Sequence, residues 1–457
     1  MSGEAKFGGR CPDTARFATK CLYAGTEPDP VTGARSPNIT MSTAFVFENS
    51  DDAAAKFALQ AFGPIYSRIT NPTAEAMENK VAALEGGNAA VSTSSGHAAQ
   101  LLAFSSLMFP GDHVVSTNKL YGGTVTQFSR QFKQFGWECT FCGFDDFDGI
   151  EKAITPKTKA VYMEAIANPG GLVCDIRRIA DIAHKHGLPL IVDNTTATPY
   201  LVRPFEHGAD IIVHSATKGL CGHGNAMGGL VIEKGDFDWS AGNKFPILSE
   251  PCESYHGVNI YETFGKDGPV AEMMGTKGVK GMAFVIACRV LGLRDIGMCI
   301  SPFNAFLISM GIETLPLRIQ KCSDNAMAVA TFLEKHDKVA WVRYGGLPSS
   351  PNNAMAKKYC PKGTGSLFTF GLKGGYEAGK QLVDSVKMIS LVANLGDSRT
   401  LIAHPASMMH SQLTPEQQKA AGAEVETIRF SVGLEDVDDI IDDLKQALNS
   451  IGQASKL

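Results

Sequence analysis

The stretch AVYMEAIANPGGLVCDIRRIADIAHKHGLPLIVDN, residues 160–194, decides the fold class. Its first part, AVYMEA, is a short apolar run that predicts a buried strand. The segment IRRIADIAHKHG then has apolar residues at helical spacing and ends on a glycine, as helices often do. A second apolar run, LPLIVDN, follows directly. A strand, a helix and another strand in this order form the unit from which parallel sheets are built, so the stretch predicts an α/β protein.

The same alternation extends over roughly residues 75–235. The patterns predict helices at 73–86, 96–108, 123–136 and 147–155, and strands at 113–117, 139–144, 210–216 and 228–234. From 235 to about 280, Pro, Gly and aromatic residues predict a long functional loop region. Beyond it we expect a helix within 301–336, strands at 366–374 and 427–433, and a closing helix at 436–452. These segments predict a mostly parallel central sheet with helices on both faces, followed by a smaller α+β unit.

Composition excludes several classes of function. The chain has 457 residues, with 42 Lys and Arg against 47 Asp and Glu, so it lacks the basic excess of a nucleic-acid-binding protein. There is neither an apolar signal segment at the start nor an uninterrupted run of eighteen apolar residues, so membrane insertion and secretion are not expected. The 11 cysteines suit reduced thiols in the cytoplasm, and the pair Cys139 and Cys142 lacks the partners of a zinc site, so no metal is expected.

Side chains that can transfer protons, act as nucleophiles or form hydrogen bonds occur where the predicted strands end. In open parallel sheets ligands bind outside the carboxyl ends of the strands. Each position also has a simpler interpretation: Asp193 could cap a helix, Lys218 could be solvated, and SSGH could be an ordinary helix start. The strand-end and helix-start candidates are Glu164, Asn168, Asp193, Ser215, Thr217, Lys218, Ser95, Gly96 and His97.

Taken together, these candidates point to pyridoxal phosphate, a cofactor with a phosphate, an aldehyde and a pyridine nitrogen. Lys218 would form the Schiff base, and Asp193 would keep the pyridine nitrogen protonated. A helix N-terminus with nearby hydroxyls suits the phosphate dianion. The residues expected to bind the phosphate are Ser95, Gly96, His97, Ser215 and Thr217.

Motifs along nearly the whole chain resemble the Cys/Met-metabolism family of pyridoxal-phosphate enzymes, which have fold type I. The matching segments, in family order, are YSRITNPT, ALEGG, SSGHAAQ, LYGGT, EAIANP, VDNT, HSATK, GHGNAMGG, SLVANLGD, HPASMMH and RFSVGLED. One such motif would be weak evidence, whereas their common order makes the resemblance specific. It implies an N-terminal arm over residues 1–71 that contributes to a neighbouring active site, a large cofactor-binding domain over 72–300 and a C-terminal domain over 301–457.

The resemblance also implies roles for individual residues. Lys218 becomes the cofactor-binding lysine and proton shuttle, Asp193 pairs with the pyridine nitrogen, and Tyr121 stacks on the cofactor ring. Asn168 contacts the ring hydroxyl or the substrate, and Glu164 belongs to the cofactor-binding set.

Other implied roles concern the substrate and a neighbouring subunit. Arg429 grips the substrate α-carboxylate, aided by the backbone near Ser390. Tyr66 and Arg68 reach the phosphate of a neighbouring subunit, because active sites of the family straddle a dimer interface; a homotetramer, built as a dimer of dimers, is therefore expected.

Side features bear on which reaction of the family is catalysed. The segment NKFPILSEPCESYHG, residues 243–257, is similar to the extra segment of O-acetylhomoserine sulfhydrylases. Methionine γ-lyases usually have a cysteine two residues after the stacking tyrosine, where this chain has Gly123. The resemblance therefore implies γ-replacement on O-acetylhomoserine by sulfide or a small thiol, giving homocysteine or methionine and acetate. Cystathionine γ-synthase, O-succinylhomoserine sulfhydrylase and methionine γ-lyase activities remain alternatives.

Two unrelated classes of protein are alternatives to this family. A dinucleotide-binding oxidoreductase would explain the glycines, but GHGNAMGG follows Lys218 instead of joining a first strand to its helix. A catalytically silent protein on this fold would have lost the lysine, the aspartate or the carboxylate-binding arginine, and all three positions are filled. Within the motifs, His97 occupies a position that is more often Gln or Met in relatives.

Overall fold

The computed structural model describes residues 11–12, 14–408, 411 and 422–452. The first ten residues, the end of the HPASMMH motif and most of the segment that follows it lie outside the described residues. Within the described part, no helix is long and apolar enough to cross a membrane.

A seven-stranded sheet forms the centre of the large unit. Its strands are β1 (Ala89–Thr93), β2 (His113–Thr117), β3 (Glu138–Cys142), β4 (Thr158–Glu164), β5 (Leu190–Asp193), β6 (Ile211–Ser215) and β7 (Gly229–Glu233). The order across the sheet is β1-β7-β6-β5-β4-β2-β3. Strand β7 runs antiparallel to both of its neighbours, and β6, β5, β4, β2 and β3 pair in parallel. The predicted fold class, including the mostly parallel sheet, is therefore confirmed.

Helices cover both faces of this sheet. In β4, Val161 and Met163 pack into one apolar cluster while Ala160 and Tyr162 pack into another on the opposite face, as the alternation of a strand requires. The helices before the C-terminal part are α1 (Phe17–Tyr23), α2 (Ser50–Phe57), α3 (Pro72–Glu85), α4 (Gly96–Ser105), α5 (Gly122–Thr126), α6 (Phe132–Gln134), α7 (Phe147–Ala153), α8 (Ile176–Lys185) and α9 (Thr198–Leu201).

The predicted loop region after β7 contains short elements. A hairpin of β8 (Pro251–Cys252) and β9 (Val258–Asn259) lies among helices α10 (Pro246–Ser249), α11 (Ile260–Phe264), α12 (Pro269–Met273), α13 (Ala283–Ala287) and α14 (Arg294–Ile296). Trp239 of this segment is buried in the same apolar cluster as Val91 and Val231 of the large sheet, and it stacks on Phe284 with ring centroids 5.2 Å apart.

A five-stranded sheet organises the C-terminal part. Its order is β10-β11-β14-β13-β12, with strands β10 (Val339–Arg343), β11 (Leu367–Leu372), β12 (Ser390–Leu391), β13 (Leu401–Ala403) and β14 (Thr427–Ser431). The helices of this part are α15 (Pro302–Glu313), α16 (Leu315–Glu334), α17 (Asn353–Tyr359), α18 (Gly375–Ser385) and α19 (Val437–Ser450).

The helix predicted within 301–336 is divided in two. It breaks at Thr314, whose backbone lies at φ −103° and ψ 9°. Pro316 follows in the first turn of α16, where its missing N–H costs nothing. The prediction of one continuous helix was wrong because the proline starts a new helix here.

Three parallel strands end side by side and create the edge on which the site is built. In the register of the sheet, Glu164 at the end of β4 pairs with Asp193 at the end of β5. Strand β6 lies next to β5 and ends at Ser215, three residues before Lys218. The residues that the sequence places after separate strands therefore meet at one edge.

Candidate active site

A cavity of about 230 Å³ lies at this edge of the large sheet, closed on one side by the C-terminal part. Most of the site residues predicted from the sequence line it. They are Ser95, Gly96, His97, Tyr121, Glu164, Asn168, Asp193, Ser215, Thr217, Lys218 and Arg429. The sequence reasoning gave no role to several further lining residues, including Gln100, Thr195, Met227 and Asn394.

One corner of the cavity is built from the N-terminus of α4. The Ser95 hydroxyl accepts a hydrogen bond from the Ala98 N–H at 3.2 Å and so caps the helix. The first N–H groups of a helix have no acceptor within it and favour an anion. A Cβ atom at Gly96 would lie only 2.6 Å from the Cβ of Ser215, so only glycine lets the helix start approach this closely. This cradle of N–H and hydroxyl donors fits a phosphate group.

Asp193 is held by donors from three directions. Its Oδ1 accepts from the Thr195 N–H at 2.9 Å, and its Oδ2 accepts from Gln100 Nε2 and the Tyr162 hydroxyl, each at 3.3 Å. Complete burial and the nearby charge of Asp193 raise the pKa of Tyr162, so that its hydroxyl remains a donor. The three donors make the oxygens of Asp193 hydrogen-bond acceptors, the role required toward a protonated pyridine nitrogen.

Glu164 anchors two loops of the site. Its carboxylate accepts from the Tyr121 N–H at 2.6 Å and from the Asn168 N–H at 2.9 Å. Burial, followed by the neighbouring charge of Asp193, raises the pKa of Glu164 well above its ordinary value. The side chain thus fixes the backbone that presents Tyr121 and Asn168 to the cavity.

Lys218 lines the same cavity and contacts a residue to which sequence reasoning assigned no role. Its Nζ donates to Asn394 Oδ1 at 2.6 Å. Burial, together with the positive charge of Arg429, lowers the pKa of Lys218. A lysine with a lowered pKa releases its proton more readily and is therefore more often in the neutral form that acts as a base.

Asn394 forms hydrogen bonds with both Lys218 and Arg429. The main-chain oxygen of Asn394 accepts from Arg429 Nη2 at 3.1 Å. Burial lowers the pKa of Arg429, which is only 7% exposed, while Tyr121 acts in the opposite direction. The motif SLVANLGD contains Asn394 and was the available signal for it.

Ser390, whose neighbouring backbone was predicted to help bind the substrate α-carboxylate, lies outside the lining of the cavity. Ser390 is paired in β12, where its N–H donates to the Thr400 oxygen at 3.1 Å, and it does not line the cavity. Residues 393–395 of the same segment do line it. The chain leaves β12 after Leu391, and this brings Asn394 rather than Ser390 to the arginine.

Two rings and a glycine form the mouth of the cavity. Tyr121 and His97 are exposed, with ring centroids 5.7 Å apart. A Cβ atom at Gly123 would lie 2.5 Å from Tyr121 Cε1 and 2.7 Å from His97 Cε1. The arrangement of the two rings therefore depends on the absence of a side chain at position 123.

Tyr66 and Arg68 do not line the cavity of their own chain. Tyr66 is 42% exposed, and the Arg68 guanidinium lies 5.5 Å from the centre of its ring. Arg68 also donates to the main-chain oxygen of Arg294. Their predicted role toward a neighbouring subunit stays a prediction.

The residues of the cavity fit pyridoxal phosphate. The cradle at α4 offers N–H and hydroxyl donors without a side chain in the way, Asp193 offers a carboxylate, and Lys218 offers a partly buried amine. The cavity also presents Arg429, which suits a carboxylate on a bound amino acid.

Comparison with known proteins agrees with this geometry. The family described as Cys/Met metabolism PLP-dependent enzyme matches residues 18–449. An O-acetyl-L-homoserine sulfhydrylase of Leptospira meyeri is 45% identical over 96% of this chain and 98% of its own. A homocysteine synthase of Schizosaccharomyces pombe is 44% identical over 95% of this chain and 99% of its own.

A solved structure is similar over the same length. It is the crystal structure of a putative O-acetylhomoserine (thiol)-lyase of Campylobacter jejuni with N'-pyridoxyl-lysine-5'-monophosphate, which superposes with a TM-score of 0.89 at 41% identity. The match covers 95% of this chain and 100% of the other.

Proposed function

The chain belongs to the Cys/Met-metabolism family of pyridoxal-phosphate-dependent enzymes, as its motifs predict, and we propose that it is an O-acetylhomoserine sulfhydrylase. The reaction is γ-replacement: the Cγ–O bond of O-acetylhomoserine breaks, acetate leaves, and the sulfur of hydrosulfide or a small thiolate forms a bond to Cγ. Hydrosulfide gives homocysteine, and methanethiolate gives methionine. The observation that carries the proposal is one cavity that holds Lys218, Asp193 and Arg429 in a chain 45% identical to a sulfhydrylase.

We assign the residues that would hold the cofactor from their places in the cavity. Lys218 would bind its aldehyde carbon, Asp193 its pyridine nitrogen, and Tyr121 one face of its ring. The phosphate would be held by the N-terminus of α4 and the nearby hydroxyls of Ser215 and Thr217. When bound, pyridoxal phosphate supplies an electron sink that stabilises negative charge at the carbon atoms of the substrate.

The chain's own residues bind the substrate and move protons. Arg429 would hold the α-carboxylate through the two parallel donors of its guanidinium. Lys218 would take the proton from Cα of the substrate and return a proton after sulfur has added. Its lowered pKa favours the neutral amine, the form that accepts a proton. Asn394 orients this amine through the 2.6 Å hydrogen bond.

Assembly, compartment and domain boundaries are part of the proposal. We propose a homotetramer in which the arm over residues 1–71 brings Tyr66 and Arg68 to a neighbouring cavity. The exposure of Tyr66 and its absence from the lining of its own cavity support this role. The proposed domains are 72–300 and 301–457, supported by the two separate sheets. The free state of all the cysteines supports a reducing compartment, the cytoplasm.

The test is the steady-state rate of homocysteine formation from O-acetylhomoserine and sulfide. O-succinylhomoserine, cysteine and methionine serve as parallel substrates, and Lys218→Ala is the control that should be inactive. We expect the acetyl ester with sulfide to be preferred. Preference for the succinyl ester, for cysteine as the thiol, or for cleavage of methionine would replace the proposed reaction with one of the related activities.

A further inference from the structure

A fully buried polar cluster lies behind the edge of the sheet that carries the cavity. Glu85, the last residue of α3, accepts on its Oε1 from Asn194 Nδ2 at 2.8 Å and is 2.6 Å from His214 Nε2. All three side chains have 1% exposure or less. None of them lines the cavity, and the proposed reaction assigns them no role.

The two partners of Glu85 are the immediate neighbours of cavity residues. Asn194 directly follows Asp193, and His214 directly precedes Ser215. Successive residues of a strand point to opposite faces, so His214 turns toward α3 while Ser215 lines the cavity. The Glu85 carboxylate therefore contacts residues at the ends of β5 and β6 on the side that faces away from the cavity.

Main-chain contacts join the same two strand ends. The Asn194 N–H donates to the Val213 oxygen at 3.1 Å, and the Ser215 N–H donates to Thr195 Oγ1 at 2.8 Å. A displacement of His214 or Asn194 would therefore pass directly to Asp193, Thr195 and Ser215.

A contribution to stability alone does not explain why this polar cluster is buried. Burial of a carboxylate carries a large desolvation cost, and buried ion pairs often contribute no net stability relative to apolar residues. Within the described part of the chain, Glu85 Oε2, His214 Nδ1 and Asn194 Oδ1 have no hydrogen-bond partner. The nearby Arg203 instead contacts the main-chain oxygen of Glu85 and the carboxylate of Glu206. Such an incompletely satisfied network is better explained by the geometry that it imposes.

We propose that Glu85 is a positioning residue for the cofactor: through Asn194 and His214 it fixes Asp193 and Ser215 against the pyridine nitrogen and the phosphate. The inference deepens the proposed function and rests on pyridoxal phosphate binding in the cavity. Glu85 touches neither cofactor nor substrate and acts through its two neighbours.

The experiment compares variants by their dissociation constant for pyridoxal 5'-phosphate, the absorption spectrum of the bound cofactor and thermal unfolding without it. Glu85→Ala removes the acceptor of His214 Nε2 and one of two acceptors of Asn194 Nδ2, which also donates to the Val202 oxygen at 3.0 Å. We expect binding to weaken roughly tenfold to a hundredfold with a shifted spectrum. Glu85→Gln keeps one acceptor oxygen and should restore most of the affinity. Asp443→Asn is the matched control, because Asp443 is a 7% exposed carboxylate that accepts main-chain N–H groups of residues 387–389 and lies outside the cavity.

The outcomes separate this inference from the proposed function. If Glu85→Ala melts at a lower temperature but binds the cofactor with wild-type affinity and spectrum, as Asp443→Asn should, the cluster is structural and the inference is wrong. If Glu85→Ala does not fold, Asn194→Ala decides, since it removes one contact of Glu85 and leaves the other. We expect it to weaken binding roughly threefold to tenfold, and wild-type binding would overturn the inference. Failure of the wild-type protein to bind the cofactor would instead refute the proposed function.

Discussion

Replacement of Gly123 by alanine should damage the reaction without damaging the fold. Gly123 lies in α5 and has no positive φ angle, so its backbone accepts an alanine. Alanine is favoured over glycine inside a helix by about 1 kcal/mol. The atoms nearest to the new methyl group would belong to Tyr121 and His97, which are exposed side chains and can move.

The size of the effect follows from the distances. The added Cβ would lie 2.5 Å from Tyr121 Cε1, and ordinary contact begins at 3.4 Å, so the Tyr121 ring must retreat by about 0.9 Å. A displacement of about 1 Å in a positioning group can reduce catalysis about a hundredfold. Because Tyr121 is proposed to stack on the cofactor, we expect kcat/KM to fall roughly tenfold to a hundredfold. Gly123→Cys should lower it further, since its sulfur needs additional space.

The assay is homocysteine formation from O-acetylhomoserine and sulfide, with methionine cleavage followed in parallel. Thr126→Ala is the matched control, because Thr126 is an exposed residue of the same helix and lies outside the cavity. We expect the control to keep its activity, and neither Gly123 variant to gain methionine cleavage. Wild-type kcat/KM in Gly123→Ala, within about twofold, would refute the reasoning that Tyr121 and His97 need this space.

Three further substitutions test other parts of the structure. Asn394→Ala removes the side-chain acceptor that orients Lys218 Nζ, so we expect kcat to fall about tenfold with an unchanged melting temperature; a wild-type kcat would contradict the orienting role. Arg429→Lys loses the guanidinium fork and should raise KM for O-acetylhomoserine about tenfold or more, with cofactor occupancy, read from the absorption spectrum, as the control. Burial raises the pKa of Glu233 from 4.5 to about 7. Between these two pH values the folded protein keeps a proton on Glu233 that the unfolded chain has lost. The free energy of unfolding should therefore fall by about 3 kcal/mol as pH rises from 4.5 to 7. Glu233→Gln mimics the protonated form and should be more stable than wild type in urea unfolding at pH 8, but not at pH 4; equal stability at pH 8 would contradict the raised pKa.

The periodicity of the sequence was sufficient for the fold class, because strands buried on both faces give apolar runs that differ plainly from helical patterns. It failed where a segment lacks that contrast. Strand β1, AAVST, consists mostly of small residues between a pair of glycines and two serines, and no strand was predicted there. The antiparallel direction of β7 could not be predicted either, because the apolar pattern of a strand is the same whether it pairs parallel or antiparallel with its neighbours.

The candidate site could be predicted as far as strand ends and helix starts locate it. Gln100, which donates to Asp193, lies one helical turn after Gly96, so helical spacing was an available signal. Asn394 had no such signal beyond its motif, because its place depends on how the chain turns after β12. The predicted backbone contribution near Ser390 was thus four residues from the residue that contacts Arg429.

The pleat of the strands explains why sequence reasoning found one half of the polar residues at this edge and missed the other. A polar residue after a buried strand is as good a candidate on one face as on the other, and the sequence does not say which face holds the cavity. Asp193 and Ser215 line it, whereas their neighbours Asn194 and His214 turn toward Glu85. The motifs VDNT, HSATK and ALEGG each contain one member of that buried cluster. Residues of a motif can therefore be divided between contact with a ligand and support of the residues that make the contact, and only the contacts of Glu85 with Asn194 and His214 distinguish the two.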